Sequence, residues 1–205
     1  MLGPDTPGLT KLSIQSGTRH GGNVLPDGSF GDMNVDFALI RDLSQACRDN
    51  GGLAGCVQHG ASMLSLEKIA RLPGADCIEV HLAAAFLNAV YDHLPGEQVS
   101  RADDWVKENF AAEWKPEWTE AQFLHHARRY PIGPFKREWW DARSAHDSIR
   151  DAVGDRAARY FAALNVGRTR ALVEDSITHG AVPWQGSLAI MGHHINEGSI
   201  RDLAS

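Results

Sequence analysis

From Lys11 to Leu94 the chain alternates short apolar runs with stretches whose apolar residues recur at helical spacing. Three of the runs end on a histidine. The first is Leu12-Ser-Ile-Gln-Ser-Gly-Thr-Arg-His20, the second Leu53-Ala-Gly-Cys-Val-Gln-His59, and the third Cys77-Ile-Glu79-Val-His81-Leu82. Lys11 to Ser16, Leu53 to Val57 and Ile78 to Leu82 read as strands, being short, apolar or alternating, and bounded by turn residues. Alternation in the third puts Cys77, Glu79 and His81 on one face and Ile78, Val80 and Leu82 on the other.

Between the runs the period changes. Phe37, Ile40, Leu43 and Cys47 fit one face of a helix, with Asn34 or Asp36 as its cap and Asn50-Gly51-Gly52 as its end. Ser65 and Glu67 open a second helix, carrying Ile69 and Leu72, that Pro73-Gly74 stops. A third, apolar helix runs from Ala83 to His93. Strands separated by helices predict a parallel sheet with right-handed crossovers. The segment from Gly17 to Gly31 reads as a glycine-rich loop, able to approach a ligand closely.

After Gly96 the pattern shifts to tryptophan and charge, with Trp105, Trp114, Trp118, Trp139 and Trp140. Thr119-Glu-Ala-Gln122 is a capping box opening a helix through Arg129, and Ile132-Gly-Pro134 ends it. Ser144 to Val166 predicts a long helix and Thr169 to Glu174 a short one. Beyond that no period is sustained, and a loosely packed tail is expected. The predicted organisation is residues 11–95 as a β/α region, 96–175 as a helical Trp-rich extension and 176–205 as the tail.

Composition narrows the class. In 205 residues, 43% are hydrophobic and 22% charged, with a formal net charge of −6, which is ordinary for a globular protein. The absence of a basic block argues against nucleic acid as a partner. No apolar run approaches the ~18 residues of a membrane helix, and the first residues lack a signal-peptide layout. Three cysteines, Cys47, Cys56 and Cys77, without framework spacing fit a reducing compartment, and a cytoplasmic protein is expected. Cys56 and Cys77 read as core residues.

The histidines carry the candidate chemistry. His20 and His59 each follow a strand and precede a glycine, so both rings belong at one rim of the sheet, where an α/β fold assembles its sites. Neutral imidazoles from separate strands suit Zn2+ or another divalent transition ion. Gly21, Gly60 and the Ser62 hydroxyl can offer donors to an anion, most naturally a phosphate. His125-His126 lies within a predicted helix, where adjacent rings diverge and cannot share a metal, so a structural role is favoured. Trp139-Trp140 reads as core or interface packing, and His179, His193 and His194 as tail residues.

Taken together, His20-Gly-Gly-Asn-Val-Leu-Pro-Asp-Gly and Val57-Gln-His59-Gly-Ala-Ser62 resemble the class II, metal-dependent fructose-bisphosphate and ketose-bisphosphate aldolases. Ile78-Glu-Val-His81-Leu-Ala-Ala-Ala-Phe86, Tyr91-Asp-His-Leu-Pro95 and Ile132-Gly-Pro-Phe-Lys136 with Trp139-Trp140 look like one branch of that family. The resemblance covers about Lys11 to Val173. It implies that the chain is the C-terminal part of a TIM (β/α)8 barrel, its last three β/α units, followed by a mainly helical extension. It further implies that His20 and His59 bind the metal, with Zn2+ the expected ion. Gly21, Gly60, Ala61 and Ser62 fall where the family holds the phosphate of dihydroxyacetone phosphate and a monovalent cation. The implied reaction is aldol cleavage or condensation of a ketose phosphate through an enediolate. The third metal-binding histidine and the proton-transferring acid would lie in units preceding this chain, since a whole barrel takes roughly 250 residues.

One stretch departs from the family. Where its best-known members read Asn-x-Asp-Thr, this chain has Glu79, Val80, His81 and Leu82. A carboxylate facing a phosphate is unfavourable, so Glu79 is paired, turned away or serving another substrate. His81 either partners Glu79 or binds substrate. Two functions follow. The chain is part of an aldolase, as a homo-oligomer or with a complementing half, or it is a non-catalytic module that binds a sugar phosphate or a partner.

Overall fold

The computed structural model of the chain describes residues 9–177. Residues up to Gly167 form one compact unit, and a second begins at Arg168. The tail expected over 176–205, with His179, His193 and His194, lies outside the described residues except for its first two positions.

The first unit is built on three short parallel strands in chain order: β1 (Leu12–Ile14), β4 (Cys56–Gln58) and β5 (Cys77–Val80). β4 is central, with Leu12 opposite Cys56 on one side and Cys56 opposite Cys77 on the other. All three of its residues are buried, as a strand covered on both faces requires. Helix α1 (Phe37–Gly51) connects β1 to β4, and α2 (Leu66–Arg71) connects β4 to β5. β1 and β5 are the edges of an open sheet, and no closed barrel occurs among the described residues.

Local chemistry sets the helix ends. Of the two candidate caps, Asp36 starts α1, its carboxylate accepting from the Leu39 amide at 2.9 Å. Gly52 ends it at φ 61°, in the left-handed region. Ser65 caps α2 through the Lys68 amide. Ile40, Ser44 and Cys47 form the buried face of α1. The Ser44 hydroxyl accepts from the Cys56 amide at 2.9 Å, which pins β4 to the helix.

Two departures from the sequence reading concern the strands. The glycine-rich segment after β1 is not wholly a loop, because Asn23–Val24 (β2) and Phe30–Gly31 (β3) pair as an antiparallel hairpin. Asp27 shapes its turn by accepting from the amide and hydroxyl of Ser29 at 2.9 and 2.6 Å. Strands of two residues carry too little pattern to be read. The second departure is in β5, where Cys56 pairs with Cys77 but Val57 pairs with Glu79, leaving Ile78 as a bulge. The extra residue shifts the alternation. Cys77 therefore packs into the core in phase with Val80 and Leu82, away from Glu79 and His81.

Helix α3 (Ala84–His93) follows β5, and then come α4 (Gly96–Phe110), α5 (Glu120–Ala127), α6 (Lys136–Asp141) and α7 (His146–Ala163). The main core gathers Ile40, Ile69, Leu72, Ala61 and Ala85, with Tyr160 arriving from α7. Residues beyond 95 thus complete the core begun by the strands. A second cluster centres on Phe123, Val106 and Ala127, and several tryptophans pack on it. Trp114 stacks on Phe123 at 4.7 Å and Phe110 on Tyr130 at 4.0 Å. Trp139 packs edge-on against Tyr91, whereas Trp140 is 59% exposed. The second unit's described part is α8 (Arg170–Ser176). Among the described residues, no helix is long and apolar enough to cross a membrane.

Phe123 is completely buried between aromatic neighbours. Phe123→Ala should cost about 3–5 kcal/mol, the usual range for removing a buried ring. Urea denaturation of the two proteins measures this, and a loss below about 1 kcal/mol would show that the second cluster is not a packed core.

Candidate functional site

The three strand-terminal histidines meet at the carboxyl rim of the sheet. The ring centres of His20 and His59 are 5.8 Å apart, and those of His59 and His81 are 4.3 Å apart. Their approach is fixed by the last residue of β4. Gln58 is fully buried; its side-chain oxygen accepts from Ser16 Oγ at 2.5 Å. Its amide nitrogen donates to Thr18 Oγ1 at 2.8 Å and to the His59 carbonyl at 2.6 Å. Its backbone carbonyl accepts from the His81 amide at 2.9 Å. Thr18 closes the circuit by donating to the His59 carbonyl at 2.8 Å. One residue thus ties together the segments that carry all three imidazoles.

Two glycines make the approach possible. At Gly60, with φ 66°, a Cβ would sit 3.1 Å from the Arg19 backbone, so the loops bearing His20 and His59 touch main chain to main chain. At Gly17, with φ 101°, a Cβ would lie 2.4 Å from the Asn34 carbonyl oxygen. Side chains are excluded at both by conformation and by space.

The histidines form one side of a cleft of about 1420 Å³. Opposite them stand groups from the helical region: Lys115, His125, His126, Arg128 and Arg129. With Arg19, the lining holds four permanent cations. Glu113 is the one carboxylate on the wall among the described residues, and it accepts from Tyr130 Oη at 2.5 Å. The field in the cleft therefore favours an anionic ligand.

The remaining candidates divide. Gly21, Gly60 and Ser62 line the cleft. A Cβ added at Gly21 would meet nothing within 4 Å, so the space on that side of the residue is open. The Ser62 hydroxyl accepts from the Ala85 amide at 3.3 Å, and the Ser62 carbonyl accepts from Tyr160 Oη at 2.7 Å. The Ala61 methyl is buried in the main core and off the cleft wall. Glu79 is also off the wall and is paired with both Lys11 and His81. Hydrogen bonds from Lys11, then His81, hold its carboxyl below the ordinary range. The Glu79–His81 contact is partly exposed, the His81 side chain keeping 48% of its surface.

Burial, reinforced by the neighbouring His81 and His20, lowers the His59 pKa and so favours its neutral ring. That is the form a metal requires. The 5.8 Å between the ring centres of His20 and His59 falls within the spacing of two imidazoles on one zinc, roughly 5–6 Å for Zn–N bonds of about 2.0–2.1 Å. The two rings do not make a full set. Among the described residues, no group of three or more His, Cys, Asp or Glu is arranged to hold a metal ion.

Helix α5 contributes what the sequence reading placed outside the site. His125 bonds to the Gly21 carbonyl at 3.0 Å and packs on Phe30, while His126 packs on Trp118. The two rings point apart, yet both reach the cleft. Gln58 has no comparable signal in the sequence, where it stands as the polar residue at the end of an apolar run. Comparisons with protein-family models, curated proteins and solved structures find no match to this chain.

Burial lowers the pKa of both His125 and His126 from the ordinary 6.5. Well above pH 6.5 these rings are neutral in both folded and unfolded chains. Below it the unfolded chain takes up protons that the folded one refuses, so stability falls as pH falls. The melting temperature should drop between pH 7.5 and 5.5, and less so in a H125Q/H126Q double variant. Calorimetry at matched ionic strength checks this, and equal pH slopes would contradict it.

Proposed function

We propose that this chain carries the metal- and phosphate-binding rim of a class II aldolase, acting on a ketose phosphate. The observation that carries the reading is the meeting of His20 and His59, from adjacent parallel strands, over a cationic cleft. In this reading the parallel strands β1, β4 and β5, with helices between them, would be a sector of a (β/α)8 barrel. Their open edges support completion by further strands, from a second copy or a complementing chain. Free cysteines without a disulfide support a cytoplasmic setting.

In this reading His20 and His59 hold a divalent ion, Zn2+ first among candidates. When bound, that ion supplies Lewis-acid polarisation of the substrate's carbonyl and hydroxyl oxygens. The chain's own residues bind and orient. The open space on the side-chain side of Gly21 and the left-handed turn at Gly60 leave room for a phosphate beside the imidazoles. Arg19 and the cations of the opposite wall draw the anionic substrate in. Glu79, held by Lys11, anchors His81 and keeps its own charge away from the phosphate.

One observation favours a second reading, binding without turnover. The resemblance assigns proton transfer to a carboxylic acid, and such an acid must be unengaged and within reach of the substrate. Among the described residues, Glu113 is held by Tyr130 and Glu79 by Lys11 and His81.

The full chain should take up one equivalent of zinc by calorimetry and then bind dihydroxyacetone phosphate. His20→Ala and His59→Ala should each abolish both. Stoichiometric zinc retained in both variants would remove the proposal. Aldol cleavage of a ketose bisphosphate by the chain alone should be at or near background. Robust turnover would overturn the binding-only reading and show that the proton-transferring group is present.

A further inference from the structure

The face of α5 toward the cleft makes three evenly spaced hydrogen bonds to one stretch of backbone. Thr119 Oγ1 donates to the Pro26 carbonyl at 2.9 Å, and Gln122 Nε2 to the Val24 carbonyl at 2.8 Å. His125 Nε2 bonds to the Gly21 carbonyl at 3.0 Å. The donors stand at i, i+3 and i+6, so they form a stripe along one side of the helix. The acceptors run along the β2–β3 hairpin and its approach, beginning one residue after His20. Gly28 completes the seam, since a Cβ there would lie 3.3 Å from Ala121 Cβ. The opposite face of α5, through Phe123 and Ala127, is anchored in the second core.

We infer that α5 is a clamp that positions His20, with Gln122 and His125 as positioning residues for the histidine site. The segment after β1 has a second restraint at its start, where Gln58 holds Thr18. His20 therefore lies between two fixed points, one on the central strand and one on the helix. The bonds of both α5 residues go to backbone carbonyls and not to the imidazole of His20. Each acts by fixing the carbonyls that set the path of its loop, and hence the direction of the ring. A neutral His125 donates from Nε2 only in the tautomer that carries its proton there, which makes its other nitrogen the acceptor. The inference rests on the aldolase reading only for what His20 does, not for how it is held.

Gln122 permits a clean test, because its two ends do different work. Its oxygen accepts from the Thr119 amide at 3.0 Å to complete the capping box, and its nitrogen makes the tether to Val24. Gln122→Glu keeps the cap, which Glu serves equally well, and removes the tether donor. His125→Phe keeps an aromatic ring against Phe30 and removes the other tether, while His125→Gln restores a donor. Amide hydrogen exchange on the full chain should show Gly22 and Leu25 exchanging roughly five- to tenfold faster in Gln122→Glu and His125→Phe. Amides of α5 and β4 should be unchanged, and His125→Gln should lie near the parent. If α5 matters only as a packed helix, Gln122→Glu will exchange like the parent at Gly22 and Leu25, and the clamp is overturned. A variant that unfolds is excluded by its α5 amides, and the other variant then decides. Zinc affinity gives the second readout and should fall roughly tenfold in the tether variants, the usual effect of loosening a ligand's support. A parent chain that takes up no zinc defeats the metal reading, while the exchange result still decides the clamp.

Discussion

Gln58 is the constraint on which the rim depends. A carbonyl oxygen can only accept, so the two carbonyl and hydroxyl partners at Thr18 and His59 fix which end of the amide points where. Each of its polar atoms is engaged, inside a strand otherwise filled by Cys56 and Val57. In that surrounding an amide with one partner missing costs about 1–3 kcal/mol, so the network is stable as a whole and poor in parts. The same residue that satisfies the interior also sets the spacing of three imidazoles. Site geometry and core integrity here are one property.

The cleft owes its character to two cores rather than one. The first, around Ile40, Ile69 and Leu72, supports the strands and the turns at their ends. The second, around Phe123, supports α5 and the tryptophan-rich segments before it. The first contributes the three strand-end imidazoles, glycine backbone and Arg19; the second contributes His125, His126 and the other cations. Arg128 shows how the second is braced, since it donates to Asn88 on α3 at 3.0 Å and lies over the Tyr91 ring. Its charge thereby faces the cleft from a fixed position instead of swinging in solvent.

Much of the strand region was legible. β1, β4 and β5 fall within or beside the three apolar runs, because a buried strand must be apolar and its ends must turn. Asp36, Gly52, Ser65 and the Thr119–Gln122 box were readable for the same local reason. What escaped was non-local. Nothing near His125 in the chain announces that its ring meets Gly21, more than a hundred residues earlier. Gln58 looked like the polar end of a run, when it is the buried centre of a network. Helix α4 was lost among tryptophans that mark a core only once α5 is set against it. The hairpin at Asn23 was too short to show a period.

The bulge at Ile78 illustrates how little length separates one surface chemistry from another. By strict alternation, the thiol of Cys77, the carboxylate of Glu79 and the imidazole of His81 would line up together. One surplus residue divides them, sending sulfur inward and leaving the acid and the imidazole as neighbours. The strand acts as a vernier whose setting is a count, not a composition. In a lineage of such chains, loss of the codon for Ile78 would restore regular alternation and still leave sulfur inward and the acid and imidazole outward, so the display at the rim would outlast the bulge.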